Sequence, residues 1–298
     1  MKFSIVLLAA ALMSGWTGAN IQKSLVSSGA ASAPENQGER AGVSGLEPAV
    51  LVAYPDAEGT PVPVQKKAST RLANGRLDEY IVFQYDQNDV LLLSQSKYSA
   101  SGVLVEMVEF VYEDGRAVQK ITRDEQGQPH ARISYQYNAQ GLITKEILSS
   151  RSGRVLSSYE YQYDSSGNRI VRIINNTQGN RLAETSFVYR NGLLISSETR
   201  DGTGRKTGSS ENTYDERGNR LSETVFDATG QVLRVVTETW RNGRAVQLER
   251  ANAGGRVLLR ETYEYGAYNE LVRKTIEDIQ NQTKKSIEYE YTLREERL

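Results

Sequence analysis

Cysteine is absent from the sequence, and histidine occurs once, at position 130. Without cysteine the chain can form neither a disulfide framework nor a thiolate metal site. A lone His130 on a polar strand face argues against Ser/His or Cys/His catalysis. Basic and acidic residues nearly balance, with a net charge of −1 and no long basic run, so nothing attracts nucleic acid or anionic lipid. These absences predict a protein without enzymatic activity, cofactor or metal that does not bind nucleic acid.

Long apolar runs are also absent beyond the first residues, where "FSIVLLAAALM" follows Lys2. A charged start, a short apolar run and small residues after it predict a signal peptide over residues 1–19. Residues 20–60 are rich in Ser, Ala, Gly and Gln, which predicts a flexible tether. Residues 61–298 carry the regular patterning, and no segment there approaches a membrane span. The mature protein is therefore predicted to be exported, and to be periplasmic, surface-associated or secreted.

One aromatic residue recurs every 25 to 27 positions, and a glycine or asparagine stands ten residues before each. The nine recurring residues are Tyr85, Tyr112, Tyr137, Tyr163, Tyr189, Tyr214, Trp240, Tyr265 and Tyr291. Such a fixed period is the signature of a repeat protein. Asn-Gly and Asp-Gly pairs after several of these residues suit tight hairpin turns, and Gly167 and Gly218 are predicted to adopt positive φ. Each repeat is therefore predicted to be a hairpin of two antiparallel strands.

The repeats predict an all-β fold, a repetitive antiparallel β-meander of about 17–18 strands that forms an extended, twisted or curled sheet. No second layer is encoded to cover the aromatic face. The sheet must therefore curl on itself, pair with another copy or stand as a thin layer. We expect it to begin near Val62, with Pro61 and Pro63 at one edge and the charged "LREERL" at the other discouraging pairing with other chains.

Most repeats carry a pair of aromatic residues two positions apart, which point to the same face of a strand. The rings either stabilise the sheet by cross-strand packing, at about 0.2–1 kcal/mol per pair, or form a stacking platform for a ligand. The candidate ligand-stacking residues are Tyr135, Tyr137, Tyr161, Tyr163, Phe187, Tyr189, Tyr263 and Tyr265. Asn212 and Glu238 interrupt the pattern, which predicts the weakest part of the sheet between about residues 206 and 238.

The strings "YDSSGNRI" (Tyr163–Ile170) and "YDERGNRLSETVFDATGQVL" (Tyr214–Leu233) resemble the YD repeat, or Rhs-like repeat, of exported bacterial proteins. The matched elements are Tyr-Asp, the turn glycine, Asn-Arg and the second turn glycine. The resemblance spans about residues 75–291 and implies export and a strand–turn meander. In large members of that family, such repeats form a β-sheet that winds into a shell around a toxin. This chain has fewer repeats than those proteins and a longer repeat unit, so the resemblance does not imply that it encloses a toxin.

Two functions remain open on the sequence. The first is a non-enzymatic binding or adhesion module at the cell surface or in the periplasm, with an envelope glycan or protein as its partner. The second is a structural envelope scaffold that pairs with itself or with another β-protein. A carboxylate-based hydrolase is disfavoured, because the pairs Asp124–Glu125 and Asp215–Glu216 occupy exposed turns where no burial would shift a pKa.

Overall fold

The structure, a computed structural model, describes residues 61–294, so the predicted signal peptide and tether lie outside the described residues. The described part forms 18 β-strands, which confirms the all-β meander. The strands are β1 (Val62–Leu72), β2 (Leu77–Tyr85), β3 (Leu92–Ser99), β4 (Leu104–Glu113), β5 (Arg116–Arg123), β6 (Pro129–Tyr137), β7 (Ile143–Ser150), β8 (Val155–Tyr163), β9 (Arg169–Asn175), β10 (Arg181–Arg190), β11 (Leu193–Asp201), β12 (Lys206–Tyr214), β13 (Arg220–Asp227), β14 (Val232–Arg241), β15 (Arg244–Asn252), β16 (Val257–Tyr265), β17 (Leu271–Asp278) and β18 (Thr283–Arg294). Within residues 61–294 there is no helix long and apolar enough to cross a membrane.

The sheet closes on itself into a barrel. Each strand pairs antiparallel with the next one along the chain, and β1 pairs antiparallel with β18 over ten residue pairs that begin at Val62 and Arg294. The prediction of an extended, twisted or curled sheet is therefore wrong. The first strand begins at Val62 as expected, but it is not an edge, because Pro63 lies opposite Leu293.

A β-bulge beside almost every turn explains the closure. The pairing skips one residue in every neighbouring pair of strands except β17 and β18. On odd-numbered strands the skipped residues include Val118, Ile170, Leu221, Val246 and Val272. A bulge bends its strand and increases the right-handed twist. Because nine hairpins bend in the same sense, each needs to turn by only about 40° to complete the ring.

The strand stagger sets the width of the barrel. A path that passes from each residue to its partner on the next strand can be followed around the ring, starting from Ala68 and Ile81. It returns to β1 displaced along the strand by about 18 residues, and this displacement is the stagger of the barrel. With 18 strands, that stagger corresponds to a tilt of about 35° and a diameter of about 34 Å between strand axes. Within residues 61–294 each strand contacts only its two neighbours around the ring. Side chains on the inner face therefore surround a central space about 20 Å wide.

Tight turns form the two rims. We call the end of the barrel at which even-numbered strands finish the upper rim, and the opposite end the lower rim. At the upper rim Gly167 and Gly218 have φ of 84° and 82°, as predicted, and each donates its N–H to the aspartate carbonyl that opens the turn. β1 begins and β18 ends at this same rim. Both ends of the described chain therefore lie at the upper rim.

Candidate functional site

The wall of the barrel has two chemically different faces, and the aromatic pairs lie on the more crowded one. Side chains converge on the concave side of a closed sheet and diverge on its convex side. On the face of the aromatic pairs, burial shifts the pKa of Lys120 downward and that of Glu146 upward. On the opposite face, Val111 and Val188 are 40% and 56% exposed at the height of the rings. The aromatic pairs therefore line the inner face.

The second aromatic residue of each pair is fixed to the backbone at the upper rim. In seven repeats its hydroxyl or indole N–H donates to the carbonyl of a residue 20 positions earlier, at the start of the preceding odd-numbered strand. These bonds are Tyr112 to Leu92, Tyr137 to Ala117, Tyr163 to Ile143, Tyr214 to Leu194, Trp240 to Arg220, Tyr265 to Ala245 and Tyr291 to Leu271, at 2.6–2.9 Å. The bonds tie each hairpin to its neighbour, so these hydroxyl groups have a structural role.

The first aromatic residue of each pair lies deeper in the barrel and contacts charged groups. The Tyr161 hydroxyl donates to Glu146 at 3.1 Å, and the Tyr263 hydroxyl donates to Glu261 at 2.8 Å. The guanidinium of Arg169 lies over the rings of Tyr161 and Phe187, 5.3 and 5.5 Å from their centroids. All the predicted stacking residues thus share the inner face, in four pairs on β6, β8, β10 and β16, and their contact with a ligand stays a prediction.

Ionisable side chains lie directly opposite these deeper residues, and sequence reasoning missed them. This belt consists of Lys120, Glu146, Arg172, Glu223 and Lys274, on β5, β7, β9, β13 and β17. They pair across the strands with Phe110, Tyr135, Tyr161, Asn212 and Tyr263. Burial raises the pKa of Glu146 against the opposing effects of Tyr161, Lys120 and Arg169. Burial likewise lowers the pKa of Lys120, although Glu106 and Glu146 oppose that shift.

One acid of the inner face is strongly paired. Glu261 on β16 is 4% exposed, and Lys274 lies 2.6 Å from its Oε2. Burial alone would raise the pKa of Glu261, but Lys274, the Tyr263 hydroxyl and Arg250 together lower it. The inner wall therefore interleaves aromatic rings with acids and bases that lie close together and partly out of water.

A stretch of small polar side chains occupies the inner face on β10 to β12. Thr185 and Thr199 share a hydrogen bond of 3.0 Å, and Ser197 and Ser210 share one of 2.9 Å. Asn212 follows on the same face of β12, where its Nδ2 donates to the Leu194 carbonyl at 3.1 Å while its Oδ1 has no partner. An unsatisfied buried acceptor costs about 1–3 kcal/mol. This is the segment that the sequence marks as an interruption of the aromatic pattern.

The groups considered for catalysis occupy turn and bulge positions. His130 is the residue skipped between Pro129 and Ala131 in the pairing of β6 with β5. Asp124 and Asp215 accept hydrogen bonds from backbone N–H groups of their own turns, a role that explains aspartate there. No group of three potential metal ligands occurs in residues 61–294.

No family model matches the chain and no curated protein matches it, so the resemblance to the YD repeat stays a prediction. Among solved structures, a porin-like protein from Bacteroides uniformis is 11% identical, with a TM-score of 0.42, over 76% of this chain and 98% of that chain. A porin-like protein from Bacteroides vulgatus is also 11% identical, with a TM-score of 0.37, over 78% of this chain and 99% of that chain. The Tc holotoxin pore of Photorhabdus luminescens is 12% identical, with a TM-score of 0.28, over 68% of this chain and 14% of that chain. At these TM-scores the closed barrel rests on the strand pairing of the chain itself.

Proposed function

We propose that the protein is a non-enzymatic binding protein of the cell envelope that takes a glycan chain into its barrel. The observation that supports this most directly is the inner wall, where a belt of ionisable residues alternates with aromatic rings around a space about 20 Å wide. A central space of that width is typical of barrels of 16–18 strands, which leave an aqueous channel.

The chemistry of the inner wall suits a sugar chain. Aromatic faces pack against the C–H faces of sugar rings, while carboxylates and cations accept from and donate to hydroxyl groups. Partly burying Lys120 and Glu146 opposes folding, because charged groups lose hydration. Positions that break the local rules of stability are where function is expected.

The outer face supports an aqueous location. Ion pairs lie along it at 2.7–2.8 Å, including Arg123 with Glu109 and Lys145 with Glu160. An arginine or lysine facing lipid near the bilayer midplane costs about 2–4 kcal/mol. We therefore place the barrel in water, in the periplasm or outside the cell, with residues 20–60 as its tether.

The alternative function, a scaffold that pairs with another chain through its strand edges, has less structural support. Every one of the 18 described strands is paired on both sides, so residues 61–294 offer no free strand edge for a second copy or another β-protein. Self-association would therefore have to use the outer face or a rim.

A glycan array probed with the labelled protein tests the proposal. Hits are then measured by calorimetry with two variants that remove one carboxylate each, Glu146→Gln on the inner face and Glu160→Gln on the outer face. We expect the first to weaken binding at least tenfold and the second to leave it within twofold. An array without hits, or equal losses in the two variants, would contradict a glycan site inside the barrel.

A further inference from the structure

The inner wall departs from its repeat in one place. Seven repeats place an aromatic ring at the first position of the pair, namely Phe83, Phe110, Tyr135, Tyr161, Phe187, Tyr263 and Tyr289. The two exceptions, Asn212 on β12 and Glu238 on β14, fall in successive repeats. The Glu238 carboxylate is held by Arg220, whose Nε lies 3.0 Å from Oε1. At Asn212 the wall therefore has a small polar side chain in place of a ring, and we call this position, together with Ser197, Ser210 and Gly208, the recess.

The floor of the recess is small and polar. Ser197 and Ser210 form it through their 2.9 Å hydrogen bond, and Gly208 continues it along β12. A Cβ on Gly208 would lie 3.0 Å from the Phe226 carbonyl oxygen, so the neighbouring strand opposes a larger residue there. The equivalent of Ser210 is the buried apolar residue Val236 in the next repeat, whereas it is Thr185 in the preceding repeat. Hydroxyl groups therefore line the recess at Ser197 and Ser210 and continue to Thr185 on β10.

Two acceptors at the recess lack partners. Asn212 is 7% exposed, and its Oδ1 has no hydrogen-bond partner. Its Nδ2 shares the Leu194 carbonyl with the Tyr214 hydroxyl, which donates to that oxygen at 2.8 Å, so the carbonyl has a second donor besides the amide. Glu223, opposite Asn212 on β13, makes no ion pair within residues 61–294. A buried acceptor without a partner needs an explanation, and a ligand that donates hydrogen bonds to Asn212 and to the neighbouring Glu223 carboxylate supplies one.

We propose that this recess is the subsite that anchors one sugar ring of the glycan, an inference that rests on the proposed function. A pyranose ring matches the size of the missing aromatic ring. Its vicinal hydroxyls donate to Asn212 Oδ1 and the Glu223 carboxylate, while Ser197 and Ser210 either donate or accept. The ring of Phe187 flanks the site on β10. A cationic peptide side chain is the competing donor, and the experiment includes it.

Trp240 reports on the recess. It lies on the inner face of β14, two residues beyond Glu238, and it is the only tryptophan within residues 61–294. With Trp16→Phe as the background, intrinsic emission comes from this side chain alone. The probes are cellohexaose, maltohexaose, chitohexaose and, as the cationic competitor, hexalysine. We expect a saturable change in emission with at least one of the three oligosaccharides and none with hexalysine.

The decisive variant restores the wall of the other repeats by Ser210→Val with Asn212→Tyr. Its matched control, Ser209→Val with Glu211→Tyr, makes the same kinds of change on the outer face of β12. Filling the recess should weaken binding at least tenfold and raise Tm, because apolar contacts replace an unpaired acceptor, while the control should keep its affinity within twofold. Equal affinity in the filled variant and the wild type would overturn the subsite and leave the barrel function standing. A response to hexalysine alone would overturn the sugar assignment, and a wild type that binds none of the oligosaccharides would overturn both.

Discussion

The hydrogen bonds from the rim tyrosines to backbone carbonyls lead to a prediction about stability that can be tested by removing a single hydroxyl group. The Tyr137 hydroxyl donates to the Ala117 carbonyl at 2.6 Å. Ala117 is 7% exposed and lies beyond the last residue pair of β5 with β6, so its carbonyl receives no ladder bond from β6. Tyr137→Phe keeps the ring and removes only the donor. Leaving a buried acceptor unpaired costs about 1–3 kcal/mol.

For a domain of this size, each kcal/mol lowers Tm by about 2–4 °C, so a central loss of about 2 kcal/mol predicts a fall of about 4–8 °C. Thermal melts followed by circular dichroism measure it. The matched control is Tyr80→Phe, because the Tyr80 ring stacks on Tyr98 at 5.1 Å and its hydroxyl makes no hydrogen bond within residues 61–294. We expect the control to shift Tm by less than about 2 °C. Equal shifts in the two variants would refute the structural role of the rim hydroxyls.

Three further predictions concern the turns and one strand. Gly202→Ala should lower the free energy of unfolding by about 2 kcal/mol or more, because a Cβ there would lie 2.1 Å from the Arg181 carbonyl oxygen; Gly254→Ala, whose Cβ meets only a side-chain oxygen at 3.5 Å, is the control in urea titrations. Hydrogen bonds from Thr203 and Arg205 lower the pKa of Asp201 to about 2, so its contribution to stability is present above the unfolded pKa near 3.8 and is lost as the pH falls toward 2; the urea midpoint should fall over that window, and less steeply in Asp201→Asn. Backbone amides of β12 should exchange roughly tenfold faster than those of β8, because β12 lacks the aromatic cross-strand contacts of about 0.2–1 kcal/mol each; equal protection by mass spectrometry would contradict this.

The local features of the fold could be predicted because each is encoded within one repeat. The 25- to 27-residue period, the positive φ of Gly167 and Gly218 and the start of the sheet at Val62 all follow from turn chemistry. Closure could not be predicted in the same way. It depends on the size of the bend at each bulge, such as the one at Ile170, and on the number of hairpins over which the bends accumulate. A single hairpin with the same sequence is compatible with an open sheet.

The belt escaped sequence reasoning for a different reason. The aromatic positions repeat from unit to unit and are therefore visible as a pattern. The positions opposite them hold residues as different as Ala68, Lys120, Glu146, Ser197 and Leu248, so they produce no periodic signal. The interruption at Asn212 was visible, but without a closed wall it indicated only weakness. Whether the ring pairs contact a ligand stays a prediction.

The equality of strand number and stagger has a consequence for how such a barrel can change. The tilt of the strands depends on the ratio of these two quantities, whereas the diameter depends on the number of strands. Each hairpin supplies two strands and about two residues of stagger, so duplicating or deleting one leaves the ratio, and with it the tilt and the geometry of every bulge, unaltered. Only the bore would change, by about 4 Å per hairpin. Gain or loss of whole repeats would thus change the width of the central space in steps and leave the remaining strands unaltered.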